Sequence, residues 1–387
     1  MRLSILLLVV LACCSTLSAQ TDKKDENKGK RRWPGMMNVI SPQIKGDSVT
    51  FNVLAPNAQK VTISGSWMGF TKQEVMQKGD KGVWSITVIK PYSDIHTYTF
   101  NIDGLTIPDP NNFLQMRDVR TFKSILYIRG GKADAYDCTA KHHGKLTKAW
   151  YNSTAYGIQR RISIYTPFGY EESNEEYPVL YLQHGGGGDE DAWPIQGRAC
   201  EIMDYMIENG LCKPMIVVMP NSMPVIPASS EVVLPDKWIE DMSSKDFMEG
   251  LCYVKSIYTD IIPYVESNYR VGKNKSARAI AGLSMGGIYT LNVTQQKPDL
   301  FDYIGVLSMG TTPEKKAIEQ LTPIKNAGYK LYWIGCGKTD MAYPNAVRLM
   351  KGLDQMKMAY TYYGEVGGHS WDTWRKCLLE FAPKLFK

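Results

Sequence analysis

A small β-sandwich followed by a doubly wound α/β domain is the fold class that this sequence predicts, and three observations predict it. Short segments of alternating apolar and polar residues, separated by turn residues, fill the stretch from Val49 to Ile128. From Ile158 onward, continuous apolar runs alternate with helical patterns. One of those runs, Ala279-Ile280-Ala281, leads into Gly282-Leu283-Ser284-Met285-Gly286-Gly287, a serine set between glycines ahead of a helical pattern.

The 387 residues exceed one typical domain, and a composition of 44% hydrophobic with 22% charged residues is ordinary for well-developed globular cores. The formal charge of +6 is spread thinly. Its only dense run, Lys28-Gly29-Lys30-Arg31-Arg32, sits in a polar segment and reads as a solvated tether, so no nucleic-acid partner is expected. Residues 1–19 combine Arg2, an apolar core from Leu3 to Ala12, and Leu17-Ser18-Ala19 before Gln20, the pattern of a secretory signal peptide. A secreted or periplasmic protein is expected, with lipoprotein anchoring at Cys13 as the alternative. The apolar core is too short for a permanent span, and no other stretch supplies a transmembrane segment. Residues 20–35 hold almost nothing apolar and read as a disordered linker. Beyond the signal the chain keeps Cys138, Cys200, Cys212, Cys252, Cys336 and Cys377 without a C-x-x-C pair or zinc spacing. No metal site is expected, and disulfide pairing stays open.

The first domain is read over residues 36–130. Val49 to Val53 alternates at strand period, Ala55-Pro56-Asn57 turns, and Lys60 to Ser64 alternates again. Gly82 to Val88 and His96 to Ile102 follow in the same manner, Asp103-Gly104 is a hairpin-type turn, and Ser124 to Ile128 closes the region. Strands this short, with turns between them, argue a sandwich. The pattern Val49-x-Phe51-x-Val53-x-Ala55-Pro56-x-Ala58-x-x-Val61-x-Ile63-x-Gly65-x-Trp67, with Tyr98-x-Phe100-x-x-Asp103-Gly104 and Asp109-Pro110-Asn111, resembles the immunoglobulin-like E-set domains of glycogen-branching and other glycan-acting enzymes. The resemblance implies a module that either contacts glycan, with Trp67 as the stacking candidate, or braces the catalytic domain.

Residues 131–150 read as a polar connector in which His142 and His143 are a solvated pair. The second domain, residues 151–387, opens with the half-buried strand Ile158 to Tyr165. Val179 to Leu182, Met215 to Met219, Ala279 to Ala281, Tyr303 to Leu307 and Tyr329 to Ile334 are continuous apolar runs, as parallel strands covered on both faces require. Ile202, Met203, Met206 and Ile207, then Ile257, Ile261, Ile262 and Val265, and then Val347 to Met356 carry helical spacing between them.

The chemistry converges on Ser284. A strand-turn-helix bend tight enough to expose a serine hydroxyl needs very small residues two before and two after it, here Gly282 and Gly286, and aims the Met285 N–H at an oxyanion. In the α/β-hydrolase arrangement an acid and then a histidine follow, and His369, in Gly367-Gly368-His369-Ser370-Trp371, is the only histidine after Ser284. Asp340 is the best-placed acid because it follows the strand-like Lys330 to Ile334 in a loop at the carboxyl edge of the sheet; Glu365 is its rival. The second oxyanion donor is sought in His184-Gly185-Gly186-Gly187-Gly188, with Gly186 preferred and His184 assigned to holding the loop. Candidates for substrate contact are Gly185, Trp193, Trp371 and Trp238, the last in a long Pro-bearing segment from Asn221 to Ser244 that could hold an acyl group or pack on the first domain.

Three motifs in this order, His184-Gly185-Gly186-Gly187-Gly188-Asp189-Glu190-x-x-Trp193, Gly282 to Gly287, and Gly368-His369-Ser370-Trp371-x-x-Trp374-Arg375, resemble the esterase-D-type hydrolases, especially the feruloyl and acetylxylan esterases of carbohydrate esterase family one. The resemblance implies an α/β-hydrolase catalytic domain preceded by a small immunoglobulin-like β-sandwich. It implies a triad of Ser284, His369 and Asp340 working without cofactor or metal, and an esterified plant-wall polysaccharide or oligosaccharide as substrate. Gly186 stands where many relatives carry a larger apolar residue. Alternatives are a siderophore esterase of the same build, an acyltransferase using the same triad, and a catalytically inactive glycan-binding protein.

Overall fold

The computed structural model describes residues 39–69, 72–118, 121–223, 226, 228–229, 250–310, 314–364 and 367–387. The signal segment, the linker, Trp238 and Glu365 lie outside the described residues. From Val39 to Lys387 the chain forms one compact unit.

The sandwich strands in chain order are β1 (Gln43–Lys45), β2 (Ser48–Leu54), β3 (Val61–Gly65), β4 (Glu74–Val75), β5 (Gln77–Lys78), β6 (Val83–Ile89), β7 (Asp94–Ile102), β8 (Leu105–Ile107), β9 (Gln115–Asp118) and β10 (Thr121–Ile128). One sheet has the order β1-β2-β6-β5; the other runs β4-β3-β7-β10-β9, with β8 beside β7. Strand alternation explains the core directly, because Val49, Phe51 and Val53 of β2 and Tyr98 and Phe100 of β7 point inward at every second position. Trp67 belongs to this packing. Its ring stacks on Phe51 at 5.7 Å and 10°, and it lies over Gly65, where a Cβ would meet the ring at 2.4 Å.

The second domain is built on an eight-stranded sheet of β11 (Lys145–Ser153), β12 (Ile158–Thr166), β13 (Val179–Gln183), β14 (Ile216–Pro220), β15 (Arg278–Leu283), β16 (Tyr303–Leu307), β17 (Leu331–Gly335) and β18 (Thr361–Tyr363). Their order is β11-β12-β14-β13-β15-β16-β17-β18. The hairpin β11–β12 is antiparallel and the six strands from β14 to β18 are parallel. Helices cover both faces, and this two-sided cover is why the parallel strands read as unbroken apolar runs. Along β13, Val179 and Tyr181 enter the core on one face while Leu180 and Leu182 enter the core on the other.

The expected connector departs from its reading. Ala133, Ala135 and Tyr136 are buried, and β11 begins at Lys145 and pairs with β12 residue for residue. Its edge position leaves one side in water, so Lys145, Thr147 and Lys148 dilute the apolar signal. His142 and His143 are not simply solvated either: they lie 3.2 Å from Glu208 and 3.0 Å from Asp204, both on the helix Ala199–Glu208.

The sandwich is joined to the catalytic domain by a buried charge cluster. Arg375, on the last helix Trp371–Phe381, donates to Asp94 of β7 at 2.7 Å and to the Ile95 carbonyl at 2.9 Å, and also to the Gln196 carbonyl at 2.8 Å. Both charged side chains are almost completely buried, so each is the other's main replacement for water. Ile95 and Met116 of the sandwich share a core with Trp193 and Trp374 of the catalytic domain.

Candidate active site

The strand β15 runs into the helix Met285–Gln296 through Ser284 alone, whose φ of 52° and ψ of −118° lie outside the ordinary regions for an L-residue. Strain of this kind costs about 1–3 kcal/mol and persists only where the surroundings impose it. Here the glycines permit it: a Cβ on Gly282 would stand 2.3 Å from the Gly286 carbonyl oxygen, and one on Gly286 would stand 2.5 Å from that of His184. The Met285 N–H begins the helix and has no intrahelical acceptor by position.

Ser284 Oγ lies 2.9 Å from His369 Nε2, and His369 Nδ1 lies 2.9 Å from Asp340 Oδ1. Asp340 follows β17 and is nearly buried. Burial pushes its carboxyl upward, but hydrogen bonds from His369, Ser308 and the Ala342 N–H outweigh this and hold it below the usual carboxylate range. His369 is also fixed from the side by the edge-on Trp374 ring, 5.1 Å between centroids. Trp374 Nε1 in turn donates to Ser308 Oγ at 2.9 Å. Ser308 was not singled out in the sequence; it follows β16 with a φ of 46° and is fully buried. Only its place at the end of a parallel strand beside β15 could have drawn attention to it.

The glycine loop after β13 faces the serine. Gly185 and Gly186 line the same cavity as Ser284, His369 and Trp371. Behind them the buried His184 accepts at Nε2 from the Ser222 N–H at 2.8 Å, so its proton sits on Nδ1 and is donated to the Gly185 carbonyl at 2.7 Å. Burial, together with nearby Arg160 and Arg117, lowers the His184 pKa to about 4 despite the Gly185 bond, and keeps the ring neutral. In a trans peptide the C=O and the following N–H point in opposite directions, so holding the Gly185 carbonyl backward turns the Gly186 N–H forward. A Cβ on Gly186 would meet nothing within 4 Å, which leaves room for a larger residue there. Trp193 is buried, donates to the Gln183 carbonyl at 3.0 Å and meets Trp371 edge-on, so it stands behind the cavity wall that Trp371 forms.

The Esterase family model matches residues 153–385, and the carbohydrate-binding module 48 (isoamylase N-terminal domain) model matches residues 38–114. The chain belongs to the esterase family. An endo-1,4-beta-xylanase/feruloyl esterase of Xylanibacter ruminicola is 32% identical over 87% of this chain and 44% of its own length. This esterase thus spans less than half of that relative. Among solved structures, a ferulic acid esterase of carbohydrate esterase family one from Anaeromyces mucronatus, in complex with ferulic acid, matches with TM-score 0.55 and 20% identity over 67% of this chain and 98% of that one. The enterobactin esterase of Shigella flexneri matches with TM-score 0.64 and 16% identity over 92% of this chain and 98% of that one. Both likenesses concern the fold: the first covers little more than the length of the hydrolase part, and the second extends over the sandwich as well. Among the described residues no helix is long and apolar enough to cross a membrane.

Proposed function

We propose that this esterase is an exported serine hydrolase that removes feruloyl or acetyl groups from plant-wall xylan through an acyl-enzyme. In this reading Ser284 Oγ attacks the ester carbonyl while His369 Nε2 takes its proton, and Asp340 holds the Nδ1 proton and stabilises the imidazolium. The Met285 and Gly186 N–H groups receive the oxyanion. His369 then protonates the departing alcohol, and water, activated by the same histidine, releases the acid. The observation that carries the reading is the chain of two 2.9 Å hydrogen bonds from Ser284 through His369 to Asp340. The substrate class rests on the xylanase/feruloyl esterase relative and on the carbohydrate-binding module match; export rests on the pattern of residues 1–19.

The test is a panel of feruloyl, acetyl and catecholate esters with the protein and its Ser284→Ala variant. Feruloyl or acetyl release from xylo-oligosaccharide, abolished in Ser284→Ala, is expected. Activity confined to the catecholate ester would favour a siderophore esterase, the reading to which the two-domain likeness over 92% of the chain lends weight.

A further inference from the structure

Four consecutive glycines form the loop that presents the Gly186 N–H, and a chain so free in φ and ψ does not hold one direction by itself. Its own backbone contributes the Gly188 N–H on the Gly185 carbonyl at 3.3 Å, a long bond. An oxyanion donor works by being aimed before the charge develops, so the aim has to come from outside the loop. The tripeptide Asn221-Ser222-Met223 supplies it. It follows β14, the parallel neighbour of β13, and so meets the glycine loop at the same edge of the sheet. The Ser222 N–H donates to His184 Nε2 at 2.8 Å, the Ser222 hydroxyl donates to the His184 carbonyl at 3.2 Å, and the Met223 sulfur accepts the Gly187 N–H at 3.4 Å.

Two buried charges fix this tripeptide in turn. Arg160 donates to the carbonyls of Asn221 and Met223 at 2.9 and 2.6 Å. Glu190 accepts the Asn221 amide on Oε2 at 3.1 Å, while its Oε1 accepts the Ser229 N–H at 2.8 Å and has Arg161 Nε beside it at 2.8 Å. The Asn221 amide oxygen accepts the Met223 N–H at 3.0 Å, which settles that the nitrogen end of the amide faces Glu190. Glu190 and Asn221 are both fully buried. Since His184 and Glu190 flank the glycines on one stretch of chain, these bonds close a ring: Glu190 to Asn221, Ser222 to His184, and His184 back to Glu190 through the glycines. Pinning both ends of the loop to adjacent residues removes most of the freedom that its glycines would otherwise keep.

We infer that Glu190 and Asn221 are positioning residues of the oxyanion hole: they lock the glycine loop so that the Gly186 N–H is aimed at the developing oxyanion. Neither lines the catalytic cavity, and neither touches the reacting atoms. The inference rests on the serine-esterase reading above and extends it to a buried pair that the mechanism does not otherwise use. A carboxylate suits position 190 because every group that faces it is a donor. A glutamine there turns one N–H onto another whichever way its amide is set, and an aspartate at position 221 sets two carboxylates face to face. The exchanged pair, Glu190→Gln with Asn221→Asp, is complementary again. The new amide oxygen takes the Ser229 N–H, the new amide nitrogen donates to the new carboxylate, and that carboxylate still accepts the Met223 N–H.

Kinetics on methyl ferulate and binding of benzeneboronic acid test this. The boronic acid binds as a tetrahedral anion: Ser284 Oγ adds to boron, His369 takes the hydroxyl proton, and a boron-bound oxygen occupies the oxyanion hole. Glu190→Gln and Asn221→Asp are each expected to lower kcat and boronate affinity together, by about ten- to a hundredfold, with KM within about twofold of the parent. The exchanged pair should bring both back to within about threefold. Circular dichroism and urea midpoints show whether each variant is folded in the assay. Asn221→Ser, which drops the amide without adding a charge, carries the same expectation if Asn221→Asp is insoluble. Folded single variants that keep kcat and boronate affinity, whatever their stability, would overturn the inference, and so would a folded exchanged pair as impaired as the singles. A parent protein that neither hydrolyses methyl ferulate and 4-nitrophenyl acetate nor binds the boronic acid would instead overturn the serine-esterase reading, and the positioning role with it.

Discussion

The imidazole of His184 and the carbonyl of Gly185 are joined by a 2.7 Å hydrogen bond in which Nδ1 is the donor, because Nε2 is already occupied by the Ser222 N–H. Together with the Gly188 N–H, which donates to the same carbonyl at 3.3 Å, this shorter bond sets the direction of the next peptide N–H, that of Gly186. An asparagine at position 184 can place its amide nitrogen near the position of Nδ1 and keep the bond; a glutamine places its amide farther out and cannot. His184→Asn is therefore expected to retain kcat within about threefold, and His184→Gln to lose about ten- to a hundredfold, with KM little changed in either, because an aimed oxyanion donor acts on the transition state. Steady-state kinetics on methyl ferulate would check this. Equal losses in the two variants would mean that His184 acts only through packing.

The same buried ring makes stability depend on pH. Its folded pKa is lowered to about 4, while the unfolded chain protonates near the ordinary 6.5. The folded form cannot bind the proton that the unfolded form takes up, so stability is intact above about 6.5 and falls as the pH drops toward 4. The loss amounts to about 3 kcal/mol. Urea midpoints at pH 7.5 and 4.5 should show a larger drop in the parent than in His184→Asn, which has no such group.

Arg375 and Asp94 yield a second stability prediction. They stand 281 residues apart in sequence and are both buried at the junction of the sandwich with the last helix. Arg375→Ala leaves Asp94 in the interior with the Ile95 N–H, 2.7 Å from one oxygen, and Lys376, 3.4 Å from the other, as its partners. A loss of about 3–5 kcal/mol is expected by urea denaturation. The double variant Arg375→Met with Asp94→Leu should recover most of it, since replacing both charges by apolar groups leaves none unpaired.

This junction also marks the limit of what the sequence disclosed. The elbow, the lone histidine after it and the strand-helix alternation were legible because each is local: a glycine spacing, a count, a period. The acid could be ranked only by its place after a strand, and Glu365 could not be set aside. The pairing of Asp94 with Arg375, and the turning of Thr97 onto the catalytic cavity, depend on how distant segments come together. Nothing in a strand that alternates normally announces that its polar side faces an active site. Edge strand β11 was hidden for the opposite reason, since its water-facing residues weaken the very alternation by which strands are recognised.

Two glycines of the site make opposite predictions. At Gly186 a Cβ meets nothing within 4 Å, so Gly186→Ala should fold and keep kcat/KM on methyl ferulate within about threefold. At Gly286 the added methyl stands 2.5 Å from the His184 carbonyl oxygen and 2.8 Å from that of Gln183, both backbone atoms that cannot swing aside. Gly286→Ala is expected to be insoluble, or folded with the elbow displaced and hydrolysis undetectable. An active Gly286→Ala would show that helix and glycine loop are less tightly apposed than these distances require.

Asp340 offers the sharpest test of how the histidine is held. Its carboxylate accepts the Nδ1 proton of His369 at 2.9 Å and is kept ionised by that bond and by the Ala342 N–H, which donates to the same oxygen at 2.8 Å. Asp340→Asn presents an amide in the same shape. The amide can donate to Nδ1 and so favours the tautomer with its proton on Nε2, which cannot take one from Ser284. A fall in kcat of about four orders of magnitude is expected, with the fold intact by circular dichroism. Glu365→Gln should leave kcat within about twofold, because Asp340 already occupies Nδ1. If Asp340→Asn lost less than tenfold and Glu365→Gln lost most of the activity, the acid would have to be reassigned to Glu365, and the hydrogen bond from His369 to Asp340 would be a feature of the resting enzyme alone.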